Sequence, residues 1–234
     1  GVVHRIASNM FDRYQLVGGC FNPNLEDNNS FAERIGIPLN RVYSSFDVLI
    51  EEELKLPKEQ RMEVISVLTP NFLHFPMAKK LLENGFNVIC EKPLTTTYAE
   101  ALELEAIQKE KQAVFAVTYT YTGYPMVRQM KDMIRRGVLG TIQKVDLQYY
   151  QGWINPVIHE PEERSKVWRL DPEKGGLSCC IGDIGTHAFD MLEYVTGMEV
   201  KQLLADLNTL YPDNSLDVDG TVLIRMSEYC KGVI

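Results

Sequence analysis

The chain has 234 residues, 45% of them apolar and 24% charged, a globular composition that leaves no place for disorder or a fibrous repeat. A net charge of −8 and a pI near 5.1 argue against nucleic acid or an anionic membrane surface as partner, because both select basic patches.

Residues 14–21 (YQLVGGCF) read as the first clear strand, followed by a polar loop over 22–29 and a short helix over 30–34 that stops at Gly36. A helix is expected over 46–53. Residues 64–68 (VISVL) form a run of apolar and β-branched side chains, as in a parallel strand covered on both faces. Thr69-Pro70-Asn71 ends it. A helix through Ala78, Leu81 and Leu82, with Pro76 in its first turn and Gly85 at its end, leads to a strand over 86–90. Glu91-Lys92-Pro93 stands at the carboxyl end of that strand. Thr97-Tyr98-Ala99-Glu100 spells a capping box for a helix reaching Lys111, and 113–118 is the next strand. Strand and helix alternate with short connections, the pattern of a doubly wound parallel sheet, in which ligands bind outside the carboxyl ends of the strands.

The pattern changes after Tyr121. A helix carries Met126, Met130, Met133 and Ile134 on one face, a strand covers 141–151, and an irregular stretch holds Trp153, His159, Trp168 and Arg169. A helix is expected from Asp183 to Thr196, then strands over 202–210 and 220–226 and an unfinished hairpin at 231–234. This reads as the start of an α+β domain, with the boundary between residues 121 and 122.

The five cysteines, Cys20, Cys90, Cys179, Cys180 and Cys230, form no C-x-x-C pair, and four sit in or beside apolar stretches. Buried free thiols in a reducing, cytoplasmic compartment are the expectation. No apolar run approaches the ~20 residues of a membrane span, so no membrane partner is expected.

Two features carry chemistry. On the helix from Asp183, an apolar stripe (Ile184, Ala188, Met191, Leu192, Val195) is flanked by a polar one (Asp183, His187, Asp190, Tyr194). Asp183 and His187 are four apart, so a carboxylate can orient an imidazole and raise its basicity, as a general base requires; a surface ion pair has the same spacing. Gly175, Gly176 and Gly182 permit close backbone approach to a ligand. A metal site on Asp183, His187 and Asp190 needs a further strong ligand from elsewhere, and no metal is expected. Lys92, at a strand's mouth and restricted by Pro93, suits stabilisation of a developing alkoxide, though a solvated loop lysine fits the same position.

The segments TPNFLH (69–74), VICEKPLTTTYAEA (88–101), GWI (152–154), VWRLDPEKGG (167–176) and GDIGTHAFD (182–190) together resemble the Gfo/Idh/MocA oxidoreductases in order and spacing. The resemblance spans nearly the whole chain. It implies a dinucleotide-binding Rossmann domain over 1–121, followed by the start of a C-terminal domain with a large, open, mainly antiparallel sheet over 122–234. It implies an NAD- or NADP-dependent dehydrogenase acting on a sugar, inositol or related polyol. Relatives with net non-redox chemistry and a non-catalytic binding protein are the alternatives. By the same resemblance Lys92, Asp183 and His187 are catalytic. Asn22, Thr69, Pro70, Asn71, His74, Glu91, Lys92, Trp168 and Arg169 line the cofactor, and Tyr119 and Trp153 join the catalytic three at the substrate. Assembly into a homo-oligomer through the C-terminal sheet is implied as well. The family opens with a strand and a glycine-rich turn for the pyrophosphate, whereas residues 1–10 read as the helix that follows such a turn. A fragment is therefore expected, lacking that turn and the last part of the second domain. No acidic residue stands at Cys20-Phe21-Asn22-Pro23, which leaves the choice between NAD and NADP open.

Overall fold

A computed structural model of the chain describes residues 1–211 and 213–234. The chain divides into two compact units. One comprises 1–68, 76–89 and 104–116. The other comprises 69–75, 90–103 and 117–234.

The first unit contains α1 (Val2–Asn9), α2 (Leu25–Arg34), α3 (Phe46–Lys55), β1 (Val64–Val67) and most of α4 (His74–Glu83), β2 (Asn87–Cys90) and β3 (Phe115–Val117). The strands form a parallel sheet in the order β1-β2-β3. The helix α5 (Tyr98–Lys111) starts on the anticipated capping box: the Thr97 hydroxyl accepts from the Glu100 N–H at 3.3 Å, and the Glu100 carboxylate accepts from the Thr97 N–H at 3.0 Å. The expected strand over 14–21 is reduced to one parallel bridge, Gly19 to Val42. Its partner segment is short, caught between a single turn at Leu39–Arg41 and Ser45, whose side chain caps α3. The expected 30–34 helix starts five residues earlier, because Asn24 accepts from the Asp27 N–H and caps it there.

In this unit's core Glu53 is fully buried. It is ion-paired to Arg41 at 2.8 Å, bonded to the Tyr43 hydroxyl, and accepts the Met62 N–H at 2.8 Å. Burial and the Glu53 carboxylate push Tyr43 up to about 12.

In the second unit follow α6 (Pro125–Arg135), β4 (Lys144–Asp146) and three single-turn helices, α7 (Asn155–Ile158), α8 (Pro161–Arg164) and α9 (Pro172–Gly175). A π-helical turn (Ile181–Gly185) leads into α10 (Thr186–Thr196), and β5 (Gln202–Asn208), β6 (Asp219–Arg225) and β7 (Lys231–Val233) complete the unit. The sheet order is β4-β7-β6-β5. All neighbours are antiparallel except β4, which runs parallel to β7. The strand expected over 141–151 forms only at Lys144–Asp146, where it pairs with β7, and residues 147–151 lie outside any strand. Leu192 of α10 is buried on Val222, Ile224 and Met226, so the apolar stripe seats the helix on the sheet.

Candidate active site

Residues 69–75 and 90–103, the loops at the carboxyl ends of β1 and β2, fall in the same compact unit as α10. His74 binds the two loops together. It is 1% exposed, with Nδ1 2.7 Å from the Pro93 carbonyl and Nε2 2.8 Å from the Thr69 carbonyl. Carbonyls only accept, so the ring supplies the N–H in any hydrogen bond it makes with them. Its ring is thus occupied by backbone, and His74 shapes the loops rather than presenting a face to a ligand. Asn71 donates to the Gly175 carbonyl at 3.0 Å. Thr69 and, after β3, Thr118 have buried hydroxyl oxygens without a hydrogen-bond partner.

Lys92 precedes a cis peptide bond to Pro93. Its Nζ donates to the Asp183 carboxylate and, at 3.0 Å, to the Asp183 backbone carbonyl. The Gln151 amide approaches the other Asp183 oxygen at 3.5 Å. The Glu91 carboxylate accepts from the Lys92 N–H at 3.2 Å.

The structure does not pair Asp183 with His187 as the i,i+4 spacing suggests. Asp183 lies in the π turn, where bonding runs i to i+5 and residues four apart no longer stack as in an α-helix. Its carboxylate faces Lys92 instead. His187 is buried between two tyrosine rings, with centroids 4.6 Å from Tyr121 and 5.7 Å from Tyr119, the latter edge-on at 87°. Its Nδ1 is buried and without a hydrogen-bond partner. Burial, then the Lys92 charge, lowers its pKa below the usual imidazole value, against smaller opposing effects of Asp183 and Glu91. The expected rise in basicity is therefore reversed, and at neutral pH the ring is uncharged. Tyr121 shares a hydrogen bond with Tyr149, hydroxyl to hydroxyl at 2.6 Å, which with burial pushes Tyr121 up to about 12. Burial, then the Asp190 charge, also raises Tyr119.

Trp168 lies in a single turn, Trp168–Leu170. The Arg169 guanidinium stands over its ring at 4.3 Å and over the Trp153 ring at 5.6 Å. A cavity of about 410 Å³ is lined by Tyr149, Gln151, Trp153, Asn155, Ile184 and Asp219, among others. Gly175 and Gly176 admit the protein's own chain rather than a ligand: a Cβ on Gly175 would meet the Arg169 carbonyl at 2.7 Å, and Gly176 has φ +97° beside Thr96. Asn22 belongs to the other unit, where its side chain accepts from the Asn24 N–H at 2.8 Å. The sequence reading missed Tyr121, Tyr149 and Gln151. Tyr121, two residues beyond Tyr119 at the exit of a strand, was the one with a signal; the other two sit where a continuous strand was expected.

The family model described as "Oxidoreductase family, NAD-binding Rossmann fold" matches residues 2–119, and that of the GFO/IDH/MocA C-terminal domain matches 127–234. The chain belongs to the Gfo/Idh/MocA family. Like other members of that family, it has a Rossmann-type unit followed by a sheet domain. It is 36% identical over 208 residues to the uncharacterized oxidoreductase YfiI of Bacillus subtilis, covering 88% of this chain and 52% of that one. It is 33% identical over 177 residues to levoglucosan dehydrogenase of Pseudarthrobacter phenanthrenivorans, covering 74% and 43%. The crystal structure of an inositol dehydrogenase homolog from Azotobacter vinelandii, complexed with NAD+, superposes with a TM-score of 0.92 at 31% identity, covering 99% of this chain and 59% of that chain. The chain thus spans about half the length of the curated relatives it matches. Among the described residues no helix is long and apolar enough to cross a membrane.

Proposed function

We propose that the protein is an NAD(P)-dependent dehydrogenase that interconverts a hydroxyl and a carbonyl on a sugar, inositol or related polyol. The observation that carries this reading is the presence of a fixed cation and a neutral imidazole in one unit: Lys92 held by Asp183, and His187, which makes no ion pair with Asp183 and whose buried Nδ1 has no hydrogen-bond partner. The relatives named for levoglucosan and inositol support the substrate class.

Lys92 holds the reacting oxygen and stabilises its developing negative charge. His187 takes the hydroxyl proton in oxidation and returns it in reduction, a role for which a lowered pKa keeps it unprotonated. Asp183 fixes the Lys92 ammonium group. The nicotinamide, when bound, accepts or supplies the hydride. The unpartnered Thr69 and Thr118 hydroxyls, at strand ends, fit a polar ligand there, with Pro70, Asn71, Glu91, Trp168 and Arg169 completing this part of the cofactor site. Tyr119 and Trp153 contact the substrate. Residues 1–121 serve the dinucleotide, with Asn22 on its ribose side, and 122–234 begin the substrate domain.

All five cysteines are free thiols, consistent with work in the cytoplasm. Leu204, Leu223 and Val233 align across β5, β6 and β7, with Leu204 and Leu223 exposed, and we assign that face to a second copy of the chain.

The test is a panel of sugars, inositols and keto derivatives assayed at 340 nm with each cofactor. Substrate-dependent production of reduced cofactor is expected. Turnover without net reduction would overturn the reading in favour of non-redox chemistry.

A further inference from the structure

We propose that Asp217 is the positioning residue of the helix that delivers Asp183 and His187. It rests on the reading of those two residues as catalytic. Asp217 lies two residues before β6 and is 5% exposed. Its Oδ1 accepts the Cys179 N–H at 3.1 Å, its Oδ2 accepts the Ile181 N–H at 2.8 Å, and its backbone carbonyl accepts the Cys180 N–H at 2.9 Å. The next N–H, of Gly182, goes to the Ser178 hydroxyl at 2.8 Å. Regular bonding starts with Asp183, whose N–H reaches the Cys179 carbonyl at 2.9 Å.

A helix start leaves its first N–H groups without intrahelical partners, and one side-chain oxygen normally satisfies one of them. Here a single residue takes three consecutive groups, two of them with a carboxylate whose charge complements the positive helix end. Two carboxylate oxygens on separate amides fix rotation about the helix axis as well as position along it. Asp183 comes two residues after the last amide that Asp217 holds, and His187 one turn further. Asp217 bonds to the backbone of the segment, so it acts on the chemistry only through the placement of Asp183 against Lys92 and of His187 against its tyrosines. The anchor also explains how a π turn persists at this site: the segment is pinned at its start by Asp217 and along α10 by Leu192 on Val222 and Ile224, so the extra residue is accommodated between them.

The test compares Asp217→Asn and Asp217→Ala in the full-length protein, with rates expressed per folded molecule. Asn keeps the shape but turns an amide NH2 toward a backbone N–H; Ala removes both acceptors. The expected result is a kcat lowered about ten-fold in Asn and toward a hundred-fold in Ala, the scale set by displacement of a reacting group on the order of 1 Å, with the cofactor KM unchanged. A merely structural role would lower the folded fraction and leave kcat per folded molecule alone. That result, or a raised cofactor KM with kcat retained, overturns the proposal. Should the Ala variant fail to fold, the Asn variant decides. Lys92→Ala and His187→Ala run alongside: normal turnover in these would strike the catalytic reading itself, whereas their loss together with a normal Asp217→Asn strikes only the positioning role.

Discussion

The Lys92 ammonium group is bound twice by Asp183, once by its carboxylate and once, at 3.0 Å, by its backbone carbonyl. The two residues are 91 positions apart in sequence. One donor remains on Lys92 for a third partner. Both side chains are largely shielded from water, at 15% and 18% exposure, so the pair is more than a surface ion pair, and removing either partner strands a charge.

Lys92→Ala is expected to lower turnover at least ~100-fold, the scale of lost electrostatic or acid–base assistance. Asp183→Asn keeps an acceptor for Lys92 but loses the charge, and a smaller loss, roughly ten-fold, is expected. Steady-state rates at 340 nm check both. A Lys92→Ala enzyme within a few-fold of the parent would remove Lys92 from the chemistry.

The acid limb of kcat/KM is expected below pH 6.5, since burial and Lys92 both depress His187. The same depression links to stability. A folded-state pKa below the unfolded one gives a contribution that is complete above pH 6.5 and is lost as pH falls through the folded value. In Lys92→Met, one of the two depressing causes is gone, so the His187 midpoint rises. NMR titration of its ring protons measures this directly; a midpoint unchanged by the substitution would contradict it.

His74→Phe leaves the Thr69 and Pro93 carbonyls without their partner while keeping an apolar ring. At ~1–3 kcal/mol per buried group left unpaired, and with one donated bond assured, a loss of about 1–3 kcal/mol is expected in urea unfolding. If the two loops line the cofactor as proposed, cofactor KM should rise as well, because they are no longer tied.

Glu53→Ala strands Arg41 and a buried tyrosine in the other unit and is expected to cost ~3–5 kcal/mol. Because Glu53 makes its bonds to Arg41, Tyr43 and Met62, kcat measured well below the melting temperature should be unaffected.

Local rules written over a few residues were legible in the sequence. Thr97 and Glu100 made their reciprocal cap, and Ala188, Leu192 and Val195 were buried as their spacing required. What failed depended on partners distant in the chain. The strand expected over 141–151 forms only at Lys144–Asp146, where its partner is β7, 87 positions further along the chain. The Asp183–His187 contact failed because a π turn has no signature in the residues that form it; Asp217, 34 positions beyond Asp183, holds the start of that turn. The family resemblance implies His74 as a cofactor residue, and only the fold shows its two nitrogens against the Thr69 and Pro93 carbonyls.

The chain's two tryptophans, Trp153 and Trp168, both contact the Arg169 side chain, and Trp153 is 39% exposed at the edge of the cavity. Indole emission responds to nearby charge and to water, so the intrinsic fluorescence of this chain reports on one small region. Any molecule that enters the cavity or draws Arg169 away changes the signal without a label, and gives an optical titration independent of turnover.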